Sequence, residues 1–505
     1  MLCAGLLALA LGGSTSLLGS AELAAQAGGG QRSSDPFADI HFRSIGPATM
    51  SGRIADLAVY EANPAVYYVG TAHGGVWKTT SNGAMFEPQF QDNGLMSIGD
   101  VTISQTNPDL VWVGTGEGNN RQSLSWGSGV WKSTDGGQTY QHMGLPESKH
   151  INRILIHPRD NDVVLVAAQG SLWGPGGERG VYKTTDGGRS WRAVLKGDAD
   201  TGANDLAMAD MNPDVIYAST YQRRRSQCCM NGGGPGSAIW KSTDGGENWT
   251  KLTGGLPGPN LGRIGLDVFR RSANIVYASI EAEGGGRGGG GGGAAGGRAG
   301  GAGAAGARGG AAAAGDPQAG RGGGRGAGGG GGLSGGTGLW RSDDGGTTWR
   351  QVSNTNPRPM YFSQVRIDPN NPDIVYMGGV GLQMTIDGGR TMETDAALVT
   401  HDDVHAIWID PANSNHVLIG NDGGLAVSYD MSKTWMFFPN LPVGLFYHVS
   451  YDMSWPFNVC GGMQDNYNWC GPSATRFSRG IQNYDWFQVQ GGDGFVTIFD
   501  PRDQR

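Results

Sequence analysis

Four closely similar octets punctuate the chain: STDGGQTY (Ser133–Tyr140), TTDGGRSW (Thr184–Trp191), STDGGENW (Ser242–Trp249) and SDDGGTTW (Ser342–Trp349). Looser copies are TTSNGAMF (Thr79–Phe86), TIDGGRTM (Thr385–Met392) and SYDMSKTW (Ser428–Trp435). From Asp135 onward the Asp-to-Asp steps are 51, 58, 100, 43 and 43 residues, and the long step contains a Gly-rich tract. Before each octet stand a β-branched strand, an Asn-Pro-Asp-like turn, a second strand ending in Gly-Thr, a loop and a third strand. Four short strands recurring every 40 to 55 residues or so are the signature of propeller blades. The predicted fold is therefore all-β, a β-propeller of seven or eight four-stranded blades.

The octet has a physical reading. Asp135, Asp186, Asp244, Asp344, Asp387 and Asp430 are placed to accept hydrogen bonds from backbone N–H groups of the turn. The Gly pair behind most of them permits the positive φ of a tight hairpin. The closing aromatic buries a large side chain against neighbouring strands. So many copies cannot form one active site, and these Asp residues are read as structural.

First strands are expected at Ile54–Val59, Ile98–Ile103, Ile151–Ile156, Ala203–Met208, Leu261–Leu266, Phe362–Ile367, Val404–Ile409 and Phe446–Tyr451. A ninth begins at Gly494–Ile498, which predicts that a second propeller starts near residue 491 and continues past the end of the chain. The expected plan is a leader at 1–27, a linker at 28–44, a propeller at 45–490 and the beginning of the second propeller at 491–505. Within the first propeller, 284–338 is almost wholly Gly, Ala and Arg and cannot bury enough apolar area to offset its ordering entropy, so it is read as a disordered insertion.

The leader rests on the apolar run Leu6–Leu11 with Leu17-Leu18, followed by the small-x-small site Ala25-Gln26-Ala27, and it predicts a secreted or periplasmic protein. No later stretch is apolar enough to span a bilayer. The 505 residues carry a net charge of −8, and the Gly-rich tract is itself positive, leaving −12 on the remainder. So acidic a body has no basic stripe for a phosphate backbone, and nucleic acid is not an expected partner. Of five Cys, Cys460 and Cys470 are expected to bridge, whereas the vicinal Cys228 and Cys229 are geometrically poor partners.

The octets resemble the Asp-box, or BNR, repeat of sialidases, sortilin-type receptor ectodomains and two-propeller xyloglucan-cleaving glycoside hydrolases. The stretches IGPATMSGRIADLAV (Ile45–Val59), VGTGEGN (Val113–Asn119), NGGGPGSAIWKSTDGG (Asn231–Gly246) and GGMQDNYNWCGPS (Gly461–Ser473) are similar to an exported bacterial family. Its members are labelled glycosyl hydrolase, sortilin N-terminal-like or WD40/YVTN/BNR-like repeat proteins. The resemblance implies a carbohydrate or peptide ligand, or glycosidase activity, and a second propeller. In the xyloglucan-cleaving enzymes one catalytic Asp follows the second strand of the first blade; here that position reads Thr71-Ala72-His73-Gly74-Gly75 and holds no carboxylate.

Connectivity places the function. In a blade whose strands run outward from the axis, the turns after strands one and three share one face, and the loops after strand two share the other with the inter-blade connections. The octets lie on the uniform face, and the variable segments gather opposite, where binding sites are usually built. A polar column of Asp56, Asp100, Arg153, Asp205, Arg263, Gln364, Ala406 and His448 is expected around the axis, chiefly as mutually paired Asp and Arg. Candidate carboxylates for catalysis are Glu117, Asp465 and Asp493. Candidate ligand-binding residues are His73, Asn119, Arg121, Trp126, His401, Asp403, His405, Gln464, Asn466 and Trp469. His401, Asp403 and His405 would alternate along a strand, a pattern that can hold a metal but is read here as ordinary hydrogen bonding. Trp126, Tyr467 and Trp469 offer flat faces for sugar rings. Arg223-Arg224-Arg225 beside Tyr221 is the one hint of sialidase chemistry. No cofactor is called for, and a monomer is expected.

Overall fold

The computed structural model describes residues 43–121, 124–282, 333–362 and 364–502. The leader, nearly all of the linker and residues 284–332 of the insertion lie outside the described residues.

Eight antiparallel sheets follow one another along the chain. Their first strands are Ile54–Val59, Ile98–Ile103, Ile151–His157, Thr201–Ala209, Leu261–Val268, Val365–Ile367, Ala406–Ile409 and Phe446–Tyr451, close to the expected set. We number the sheets one to eight in this order. Most have four strands laid side by side in chain order. Sheet four gains a short strand, Met230–Gly232, paired to the end of Asn212–Arg225. Sheet six has only three strands. Its octet ends in Met392 rather than an aromatic, and the would-be fourth strand is reduced to a single bridge between Met384 and Glu393.

Seven sheets close into a ring. Each first strand packs on the first strand of the next sheet from one to seven, and that of sheet seven packs back on that of sheet one. The Gly of the second strand makes this stacking possible. A Cβ on Gly70 would lie 2.9 Å from Ile98 Cγ2, on Gly114 2.4 Å from Ile151 Cγ2, and on Gly420 2.5 Å from Ile54 Cγ2. In each case the Gly receives the first-strand Ile of the following blade, and the last pair joins sheet seven to sheet one. The joint is as apolar as any other, with Ile54, Val69, Leu418, Leu425 and Val427 buried together. Sandwiching explains the strand patterns. Second strands such as Tyr67–Thr71 and Val111–Thr115 are buried at every residue, whereas the outermost Glu87–Pro88 and Gln141–His142 are exposed.

Sheet eight lies outside the ring. Its first strand, Phe446–Tyr451, is mostly exposed, unlike the first strands of the ring. The last strand of the seven mutually packed sheets is Met436–Phe437. Segment 494–498, expected as a further first strand, is not a strand here but packs on sheet eight: Phe495 lies on Tyr447 with centroids 5.0 Å apart, and Ser450 Oγ donates to Thr497 O at 2.6 Å. Cys460 and Cys470 are opposite one another in sheet eight and are bonded. Cys228 and Cys229 are bonded as well, against expectation, in a turn closed by Ser226 N donating to Cys229 O at 2.8 Å.

The octet hairpins repeat one hydrogen-bond scheme. In the first, Thr139 N and Thr139 Oγ1 donate to the two oxygens of Asp135 at 2.9 and 2.5 Å. Ser133 Oγ donates to Asp135 Oδ1 at 2.7 Å and accepts from Gly137 N at 2.8 Å. Gly136 and Gly137 have φ of 69° and 89°. The hydroxyl and backbone donors of Thr139, with Ser133, hold the Asp135 carboxyl at about 2. Asp186, Asp244, Asp344, Asp387 and Asp430 accept the equivalent bonds. Each hairpin also rests on the first turn of its own sheet, as in Gly136 N to Asp109 O and Gly187 N to Asp162 O. The octets and the Asn-Pro-Asp turns therefore share a face, as connectivity requires.

Candidate functional site

On the opposite face the organising residue is Arg53, just before the first strand of sheet one. Its Nε and Nη2 donate to Asp422 Oδ1 and Oδ2 at 2.5 and 2.6 Å, the parallel pairing that suits a planar guanidinium. Its Nη1 reaches Glu117 Oε1 at 3.1 Å and its Nη2 also reaches Asp465 Oδ2 at 3.4 Å. The four residues come from sheets one, seven, two and eight, so one guanidinium ties three parts of the ring to the sheet outside it. His405 Nε2 lies 2.8 Å from Asp422 Oδ1, and Asn119 Nδ2 lies 3.2 Å from His405 Nδ1. An amide donor at Nδ1 leaves the imidazole proton on Nε2, pointing at Asp422.

These contacts set the charges. Burial opposes ionisation of Asp422, but Arg53 and His405 hold its carboxyl well below the usual range. Asp465 goes the other way: burial, then the adjacent Asp422 carboxylate, raise it to about 7. Asp403 is also raised, by burial and by Asp422, although Arg358 Nη1 donates to it at 3.1 Å. Asp465 therefore gives up its proton far less readily than the neighbouring Asp422. Gly52, Arg53, His73, Asp422, Leu445, Gln464 and Asp465 line a shallow opening there, at the seam between ring and sheet eight.

The axis itself is plugged. Loop Gly116–Arg121, after the second strand of sheet two, lies across the ring. Asn119 Oδ1 accepts from Arg263 Nη1 at 3.1 Å, Asn120 Nδ2 donates to Tyr221 Oη at 2.8 Å and to Met360 O at 3.0 Å, and Arg121 Nη1 donates to Tyr361 Oη at 3.1 Å. Beneath it Arg153 meets Asp100 at 3.2 Å, Asp205 at 3.1 Å and Asp56 at 3.8 Å, the paired arrangement expected of the polar column. Burial raises the Asp56 and Asp100 carboxyls. The cavity left there, lined by Glu117, Asn119, Asn152, Arg153, Asp205, Arg263 and His405 among others, is about 30 Å³. His448 is not in this column, because it belongs to sheet eight.

Placement sorts the remaining candidates. Glu117 is wholly buried, with Oε2 unpartnered. Asp493 Oδ1 accepts from Asp465 N at 2.9 Å, at the edge of the opening. Gln464 and His73 line it. Asn466 is buried and donates to Asp422 O at 2.9 Å. Trp469 is buried in sheet eight beside Met463 and Trp486, with Nε1 on Asn466 O, so it offers no face to a sugar. Trp126 is 67% exposed on the loop face and retains its face. The strand expected under His401, Asp403 and His405 begins only at Ala406, and Asp403 has φ of 62°. Their side chains diverge: His405 to Asp422, Asp403 to Arg358, His401 Nε2 to Asp465 O at 3.3 Å. Arg223 is buried, Arg224 pairs with Asp200 and Arg225 meets Met230 Sδ at 3.4 Å, so the three do not converge as a clamp. Arg53 and Asp422 are the two site residues that sequence reasoning missed. Their signal was present in Ser51-Gly52-Arg53, a cation directly before a buried strand, and in Asn421-Asp422-Gly423-Gly424, a variable segment with an acid.

The sequence model of the Sortilin-Vps10 family (sortilin, neurotensin receptor 3) matches residues 128–259. No curated protein matches the chain. Among solved structures, the chain is similar to the GH74 xyloglucanase from Xanthomonas campestris, at 15% identity and a TM-score of 0.55, over 84% of this chain and 60% of that one. The GH74 enzyme from Niastella koreensis is similar at 14% identity and a TM-score of 0.53, over the same shares. An ancestral GH74 enzyme is similar at 14% and 0.53, over 85% of this chain and 54% of its own. The chain thus spans roughly three fifths of the length of these enzymes, and at such identities the likeness is one of fold. Among the described residues no helix is long and apolar enough to cross a membrane. With its octet repeat, its closed ring and these likenesses, the chain has the fold of a β-propeller.

Proposed function

We propose that the chain is a ligand-binding propeller that takes a glycan or a peptide at the Arg53 opening, with Asp465, Asp493, Gln464 and His73 as its polar contacts and Trp126 as an exposed aromatic on the same face. The feature that supports this reading is the convergence of loops from sheets one, seven and eight on one polar opening, while the plug loop crosses the axis. Carboxylates and amides in a shallow opening suit a hydroxyl- or amide-rich ligand, which exchanges water hydrogen bonds for protein ones. We place this activity outside the cytoplasm, in keeping with the leader at 1–27 and the bonded Cys460 and Cys470.

A second reading, glycoside hydrolysis, draws on one feature, the Asp465 carboxyl raised to about 7 by burial and the adjacent Asp422. It is the less well supported. Asp422 is engaged by Arg53 and His405 and touches Asp465, whereas a glycosidase pair stands about 5–5.5 Å apart or more, on either side of the bond.

The test is the full chain on arrays of polysaccharides and peptides, followed by titration of any hit and assay for reducing ends. The expected result is binding that weakens about tenfold or more, a loss of about 1.4 kcal/mol, in Asp465→Asn, with no reducing ends released. An array with no hits, or a hit indifferent to Asp465→Asn and Trp126→Ala, would overturn the binding reading. Release of reducing ends that vanishes in Asp465→Asn would install the hydrolase in its place.

A further inference from the structure

The loop face is electrically divided. Over sheets one, two, seven and eight, Arg53 is matched by Glu117, Asp422 and Asp465. Over sheets three to five the balance is reversed. Arg179, Arg223 and Arg263 are 4%, 0% and 3% exposed. Among the described residues none of the three has a carboxylate within 4.0 Å. Arg179 donates to the carbonyls of Gln169, Ser171, Gly174 and Gly176. Arg263 donates to Asn204 Oδ1, Asn119 Oδ1 and Tyr361 O. Asp205 and Glu281 act on Arg263 only at longer range, and Glu281 Oε2 accepts from that residue's backbone N–H at 3.0 Å.

Arg223 differs from the other two. Its Nη1 is fixed by Gly118 O at 3.1 Å and Asn120 Oδ1 at 2.8 Å, both in the plug loop. Its Nε and Nη2, which form the adjoining edge of the guanidinium, are buried without any partner. That edge presents two parallel N–H donors, the arrangement that grips an anion. Burial, and the proximity of Arg263 and Arg179, depress the guanidinium to about 9. A charge removed from water without an opposite charge costs several kcal/mol, so a fold that keeps one here has reason to supply its counter-ion. A water molecule on the same edge would satisfy the hydrogen bonds but not the charge.

We propose that Arg223 Nε and Nη2 hold a small inorganic anion, of chloride size, sealed beneath the plug loop between sheets two and four. Full burial of Arg223 excludes the carboxylate of a large ligand, and the site shares no residue with the lining of the Arg53 opening. The anion would lock the plug through Gly118 and Asn120 and so fix the position of Glu117 and Asn119.

The decisive experiment is an anomalous-difference map from crystals of the full chain grown in bromide, with a chloride titration of thermal stability at constant ionic strength alongside. The expected results are a bromide peak against Arg223 Nε and Nη2, and a midpoint that rises with chloride or bromide but not with gluconate. Each tenfold of halide above its dissociation constant adds about 1.4 kcal/mol. Arg223→Met is expected to lose the halide dependence; should it fail to fold, the map and the wild-type titration still decide. Water alone at Arg223, or a halide effect with the peak elsewhere, overturns the proposal.

Discussion

The hydroxyl of Ser133 supports more of its hairpin than its size suggests. It satisfies the buried N–H of Gly137 and orients Asp135, and the residue is 1% exposed. Ser133→Ala is expected to cost about 1–3 kcal/mol by urea denaturation, the penalty for a buried donor left unmade. The sequence singled out Asp135 and its Gly pair but passed over Ser133, because Ser and Thr at that position look like ordinary strand ends until the turn closes on them. Asp465 makes the pH-dependent prediction. Its carboxyl is raised in the folded protein to about 7 from an unfolded value near 4, so the native state binds the extra proton. Stability tied to that proton is complete below about 4 and lost as pH rises through 7. Relative to Asp465→Asn, the wild-type thermal midpoint should therefore fall between pH 4 and 7 and level off above. A constant difference across that range would contradict the assignment. No sequence pattern announced this value, since it depends on Asp422, which lies 43 residues away in the chain and belongs to another sheet.

Elements hold one another by cross-blade contacts. Lys78, Lys132, Lys183 and Lys241, on the third strands of sheets one to four, each donate to the first octet Gly carbonyl of the next sheet, at 2.6 to 2.9 Å. The octets are thus both hairpins and sockets. Strand positions were legible because each inner strand is a run of apolar residues ended by turn residues, and their starts were mostly placed within a residue or two. The missing fourth strand of sheet six was not legible: TIDGGRTM keeps the Asp, the Gly pair and the Thr of the octet and departs from the close copies at Ile386 and Met392. The insertion in sheet five tests the independence of elements. Ala282 and Thr337 exchange hydrogen bonds at 3.0 and 3.1 Å, and the pairing of Ile280 with Gly338 closes the ladder at its base. Replacing residues 284–332 by a short Gly-Ser link should leave the circular dichroism unchanged and raise stability by at most about 2 kcal/mol, from the smaller loop-closure entropy. A collapse of the fold would show that the segment contributes to the sheet.

At the scale of the whole molecule, the ring is joined where Gly420 receives Ile54, and Asn82 Nδ2 meets Tyr429 Oη at 2.8 Å on the octet face of the same joint. Gly420→Ala should destabilise the chain by about 1–3 kcal/mol through overpacking at the seam, read from the urea midpoint. The period of the repeat announced a closed array but not its number of blades, since an eighth first strand looks like the other seven in sequence and differs in not packing against the first strands of the ring. Two faces and one closure are the claims on which the site depends, and one cross-linking measurement addresses both. In the folded chain, cysteines introduced at Asn82 and Tyr429 should be joined by a short bis-maleimide within one molecule, and the yield should vanish in urea. A cysteine pair at Asn82 and Trp126, on opposite faces, should give none. Failure of the first pair, or efficient joining of the second, would contradict a seven-bladed ring with its hairpins on one side and its site on the other.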